Sequence, residues 1–156
     1  MRDDPQSILT TSRVQHEACA MLSKRGVRGD EEPWETSVNR LWSFQRGDHA
    51  VVHLIKVNKD NAVQLVEEAK GLYLVVIHND CTSAAGKLLR AKNSVEVWNA
   101  RDLCVHPFKF SYIIDAGIEP RPHPPGSEQL PKLLYDDPLR RYLGAKRGDV
   151  VWSKIS

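Results

Sequence analysis

The chain has 156 residues, with 22 Lys and Arg against 20 Asp and Glu, for a formal net charge of +2. That length suits one domain, or one domain with a small appendage, and the near balance excludes a polyelectrolyte drawn bodily onto nucleic acid. A hydrophobic share of 41% beside 27% charged residues excludes disorder, and no apolar run approaches the roughly 18–20 residues that cross a bilayer.

Taken in chain order, Met1–Pro5 carries charge with no apolar stretch behind it, unlike a secretory signal. Ile8, Leu9, Val14, Ala18, Met21 and Leu22 recur at helical spacing and Gly26 stops the pattern, which predicts an amphipathic helix. Residues 27–47 read as charged and irregular, with Trp34, Leu41, Trp42 and Phe44 as scattered anchors. Alternation then sets in. Residues 50–57 form a strand, and Asn58 caps a helix through Lys70 that Gly71 closes. Residues 72–77 are a continuous apolar strand, the kind buried on both faces. Thr82 or Ser83 caps a short helix, and residues 94–98 form a third strand. Strand, helix, strand, helix, strand predicts an α/β domain with a small, mainly parallel sheet and flanking helices.

Pro120, Pro122, Pro124 and Pro125 crowd into a stretch that can be neither helix nor inner strand, a stiff boundary between two modules. Residues 1–47 hold seven basic and seven acidic side chains and residues 48–115 eight of each, so the whole excess of +2 lies beyond residue 115. There, Leu130–Leu134 offers a short apolar turn. Asp136–Gly144 reads as a complete short helix, with Asp137 as N-cap, Pro138 at the first helical position and Gly144 as the stop. A turn at residues 146–149 leads into a strand opening at Val150. The domain expectation is a unit at 1–117, a Pro-rich linker at 118–126 and a small α+β module at 127–156.

Motifs for chemistry are sparse. Neither phosphate-cradling glycine motif nor a nucleophile elbow is present. Cys19, Cys81 and Cys104 are dispersed, as suits a reducing compartment, and supply neither a disulfide framework nor a thiolate zinc site. Cys81 stands at a strand-to-helix transition, where a helix N-terminus lowers a thiol pKa, against the plainer reading of a small, partly buried residue. His49 and His53 are four apart but flank a strand-like run with no third ligand nearby, and His106 and His123 read as loop residues. Glu68-Ala-Lys70, with Asp48 or Asp60 upstream, has the letters of a nuclease metal site. It falls in a helical pattern, however, where Lys70 simply complements the C-terminal dipole. No metal site and no cofactor are therefore expected. The best nucleic-acid candidate is Thr82–Lys92: hydroxyls and free N–H groups at a helix N-terminus accept phosphate, with Lys87, Arg90 and Lys92 close behind. An ordinary capped helix is the plainer alternative.

Leu130–Val151 resembles the shared assembly subunit of multisubunit RNA polymerases, the fifth subunit of the eukaryotic nuclear enzymes and its archaeal counterpart. The pattern is Leu-Pro, Asp-Pro, Tyr-Leu-Gly, Lys-Arg-Gly and paired valines over 22 consecutive positions. The likeness continues more diffusely at Leu72–Leu89, in the first helix and over Val95–Val105. The resemblance implies a non-catalytic subunit whose N-terminal part is a jaw-like domain of endonuclease-like fold. Its C-terminal module would dock on the largest subunit and its neighbours, placing the jaw beside downstream duplex DNA. It further implies DNA contacts at Thr82, Ser83, Lys87, Arg90 and Lys92. Partner contacts are implied at Leu130, Pro131, Asp137, Pro138, Tyr142, Leu143, Gly144, Arg147 and Gly148, with Tyr142 and Arg147 as the residue types that most often anchor. The plainer reading, expected to hold beside it, is that Leu133, Leu139 and Leu143 close a small local core.

Three departures stand out. Ser83 and Ala84 replace the family's Pro-Ser, displacing one hydroxyl. The linker leads almost directly to Leu130. The family's final hairpin strand is missing, which leaves an edge that a partner could complete. Such compression suggests a reduced copy from a large DNA virus, acting in the nucleus or a cytoplasmic virus factory, where a cellular chain would be nuclear. The competing functions are a metal-dependent nuclease and a free-standing transcription adaptor. An intracellular, soluble protein without membrane contact is expected in each case.

Overall fold

The computed structural model describes residues 11–105, 113–123, 125–126 and 129–155. The first helix, α1 (Thr11–Lys24), presents Val14, Ala18, Met21 and Leu22 as one buried stripe; Ile8 and Leu9, expected in it, lie outside the described residues, as does His106. Two short strands follow, β1 (Glu31–Pro33) and β2 (Trp42–Arg46), then the long β3 (His49–Val57). Gly47 sits at φ +58 in the two-residue loop joining β2 to β3, a left-handed conformation that tight hairpin turns demand and glycine supplies without strain.

Helix α2 (Lys59–Glu68) starts at Asn58, whose side chain accepts from Asn61 N while Asn61 returns the bond to Asn58 N. Strand β4 (Tyr73–Cys81), helix α3 (Ser83–Arg90) and strand β5 (Val95–Asn99) come next. A single turn, α4 (Ala100–Cys104), is capped by Asn99. Strand β6 (Ile113–Ile118), helix α5 (Pro138–Leu143) and strand β7 (Val151–Ile155) complete the described chain.

Five strands form one sheet in the order β1-β2-β3-β4-β5. Its β1–β2 and β2–β3 pairings are antiparallel and its β3–β4 and β4–β5 pairings parallel. The sheet is therefore mixed rather than mainly parallel. The cause is residues 27–47, expected to be irregular, which add an antiparallel hairpin to the β3-α2-β4-α3-β5 unit.

Strand alternation sends Val51, Val75, Ile77 and Trp98 to one face, under α1, α4 and α5. Val52, Leu54, Leu74 and Val76 go to the other, under α2 and α3. Both faces are covered, which explains why β3 and β4 read as nearly unbroken apolar runs. Burial of each such side chain contributes about 1.5–3 kcal/mol.

The second sheet is a ribbon of β6 and β7, antiparallel. The boundary expected at 117/118 thus falls near the end of a strand whose sheet partner lies beyond the Pro-rich stretch. Residues 119–123 and 125–126 of that stretch hold neither helix nor strand, while Ile118 still belongs to β6. Gly117 pairs with Trp152, and a Cβ there would lie 3.0 Å from the indole. No helix among the described residues is long and apolar enough to cross a membrane.

Candidate functional site

The acidic and histidine candidates are committed to structural tasks. Glu68 ends α2 and receives hydrogen bonds from the Thr36 hydroxyl, from Ser37 N at 3.1 Å, from Ser37 Oγ at 2.6 Å and from Gln64 at 2.9 Å. These bonds, that of Ser37 largest, hold its carboxyl down at about 2. The residue staples the loop before β2 to the helix, while Lys70 pairs with Glu67 at 3.5 Å in solvent. Asp48 accepts from His49 Nδ1 at 2.8 Å, and Asp60 sits in the first turn of α2.

His53 is buried with Nε2 2.7 Å from Asn79 Oδ1, and burial pushes its pKa down. His123 is half-buried. Among the described residues no three His, Cys, Asp or Glu side chains gather closely enough to hold a metal ion. Burial pushes the thiols up, Cys19 to about 12 and Cys81 and Cys104 in the same direction. The plainer reading of Cys81 therefore holds over the activated one.

The basic candidates cluster on α3. Thr82 rather than Ser83 is the N-cap, its hydroxyl accepting from Ala85 N at 3.2 Å. Ser83, Lys87, Arg90 and Lys92 are exposed. Arg90 folds back along the helix, and a Cβ on buried Gly86 would stand 2.7 Å from its Nη1. The absent side chain at Gly86 lets that guanidinium approach the start of the helix. Its charge reaches the end of β4, where it helps lower His78, after burial as the main cause.

The C-terminal candidates divide into two groups. Leu130, Pro131, Pro138, Arg147 and Gly148 are exposed, and Asp137 caps α5 by accepting from Leu139 N at 2.9 Å. Beside them stand Leu134 at 73% and Tyr135 at 81% exposure, two apolar side chains the sequence did not single out as contacts; Arg140 lies 4.3 Å over the Tyr135 ring. Leu133 is exposed as well, so it is not part of a local core, whereas Leu139 is half-buried and Leu143 buried.

Tyr142 is the main correction. It is 3% exposed and packs among Val14, Ala18, Met21, Val51, Val75 and Trp98. An aromatic with an apolar body at the inner face of a short amphipathic helix goes to the nearest core, which here belongs to the large sheet. As the chain stands, Tyr142 and Leu143 are core residues rather than surface anchors. Gly144 follows at φ +69, and a Cβ there would lie 3.0 Å from the Arg25 guanidinium. Glycine is needed twice over, for the left-handed cap and for the close approach.

Residues 125–155, which contain α5, the Lys146–Asp149 turn and β7, match the family described as RNA polymerase Rpb5, C-terminal domain. That stretch of the chain is similar to the C-terminal domain of an RNA polymerase subunit. No curated protein matches it. The Rpb5-like segment accounts for the second sheet's outer strand and the α5 cap. The first 124 residues, with the whole five-stranded sheet, fall outside the match.

Proposed function

We propose that this chain is a non-catalytic polymerase subunit whose C-terminal module docks on the largest subunit, while its N-terminal domain acts as a jaw beside downstream duplex DNA. The observation that carries this reading is the coincidence of the Rpb5 C-terminal match with the surface apolar run of Leu130, Leu134 and Tyr135. Solvent-facing apolar side chains at adjoining positions favour a protein partner. The exposed residues Pro131, Pro138, Arg147 and Gly148 complete the proposed contact surface.

The jaw role draws on α3. Thr82, Ser83 and the cations Lys87, Arg90 and Lys92 suit a few phosphate contacts, giving weak, salt-dependent binding without sequence preference. The place of action is where transcription occurs, the nucleus for a cellular chain and the nucleus or a cytoplasmic factory for a viral one.

The test is co-purification. The native chain should elute in a particle many times its own size, together with the largest subunit. Substituting Leu134→Ser with Tyr135→Ser, both exposed, should abolish that association while the circular dichroism spectrum stays unchanged. Undiminished association would refute docking through this surface. For the jaw, changing Lys87, Arg90 and Lys92 to Ala should weaken duplex binding evenly across sequences and flatten its salt slope. An unaltered slope would move the DNA contact elsewhere.

A further inference from the structure

The Rpb5-like segment is wired into the large sheet by a set of charged contacts that cross from one end of the chain to the other. Arg25, just past α1, is buried to 7% side-chain exposure. Its Nε donates to Tyr142 O at 2.8 Å and its Nη2 to Arg141 O at 2.7 Å. These carbonyls belong to the last turn of α5, where the helix dipole is negative; that of Arg141 also accepts from Gly144 N at 3.1 Å. The same guanidinium holds Glu96 of β5 with both arms, Nη1 to Oε1 at 2.7 Å and Nη2 to Oε2 at 2.5 Å.

Glu96 is otherwise saturated, by Tyr73 OH at 3.0 Å and Trp98 Nε1 at 2.5 Å. Burial alone would raise its pKa, but the bonds from Arg25 outweigh that and bring it down. A second arginine makes the reverse reach. Arg141 of α5 donates Nη2 to Val97 O on the border strand at 2.7 Å, and its guanidinium lies 4.1 Å over the Trp98 ring. Lys146 stands 5.0 Å over the Tyr73 ring.

We propose that Arg25 and Arg141 form a latch that fixes α5 on β5, so that the chain meets its partner as one rigid body rather than as two modules hinged at the Pro-rich stretch. The partners of the latch outside the matched segment, Arg25, Tyr73, Glu96 and Trp98, make that segment incomplete without the N-terminal domain. Under the docking reading above, on which this last step rests, a partner gripping residues 130–135 thereby sets the direction in which α3 points. A buried ion pair need not add net stability. Deleting one member, however, leaves an uncompensated charge and takes a charged hydrogen bond from each carbonyl, and so loosens whatever they hold.

The test is amide hydrogen exchange on the full-length chain. In Arg25→Met, peptides covering residues 138–145 should exchange about tenfold faster or more, while β3 and β4 peptides keep their protection. Arg141→Met, which leaves the Arg25–Glu96 pair intact, should act in the same direction to a lesser degree; it decides the matter if Arg25→Met does not fold. Unchanged protection of residues 138–145 in a folded variant of either kind would overturn the latch. This readout needs no polymerase, so its failure is distinguishable from failure of the docking reading, which co-purification tests.

Discussion

Truncation of Tyr142 separates a core role from a surface role. The side chain is 3% exposed and contacts the cluster that includes Met21, Val75 and Trp98. A buried aromatic hides about 150–250 Å², which at about 25 cal/mol per Å² gives a transfer contribution near 4–6 kcal/mol, an upper bound because unfolded chains are partly compact. Aromatic-to-Ala changes in cores cost about 3–5 kcal/mol, and for a chain of this size that lowers the thermal midpoint by about 6 °C or more. Tyr142→Ala should therefore shift the urea midpoint of the whole domain, followed by tryptophan emission, because Trp98 shares the cluster. Tyr135→Ala is the internal control: at 81% exposure its effect should stay within about 0.5 kcal/mol. Equal, small effects of the two substitutions would show that Tyr142 does not belong to the core and would refute the placement of α5.

Two further outcomes follow from local geometry. Glu68 titrates at about 2 when folded against an ordinary 4.5, so its contribution is complete above the ordinary value and disappears as pH falls toward 2; because the group is half-exposed the contribution is about 1 kcal/mol at most. Glu68→Gln should flatten the acid limb of the urea midpoint against pH, and an identical acid limb would contradict the staple. Thr82→Ala removes the α3 cap and should cost about 1 kcal/mol in urea unfolding; no loss would mean that Ser83 can take over the cap.

The central β3-α2-β4-α3-β5 unit was legible because each element carries its own signal. Asn58 and Thr82 are caps, Gly71 is a stop, and Val51–Leu54 with Leu74–Ile77 are apolar enough for a two-sided core. Asp137, Pro138 and Gly144 marked α5 by the same local chemistry, and all three fill the predicted positions. The β2–β3 hairpin was missed although Trp42 and Phe44 alternate with Ser43 and Gln45 before Gly47-Asp48, a period of two that ends in a turn. Strand β6 was hidden because Asp115 and Gly117 interrupt its apolar run; Asp115 is there to pair with Lys24, and Gly117 to admit Trp152. The burial of Tyr142 depends on contacts more than a hundred residues apart, such as Arg25 with the carbonyl of Tyr142, and no local pattern encodes that.

The two borders of the five-stranded sheet differ in how they meet solvent, and this bears on behaviour in crowded conditions. On one side β1 is only three residues long, with exposed Glu32 and Pro33, the latter lacking an N–H to share. On the opposite side the Val97 carbonyl is already taken by Arg141. A neighbouring copy arriving laterally meets a three-residue strand with a proline at one border and an already bonded carbonyl at the other, and both disfavour zipping edge to edge through the largest sheet.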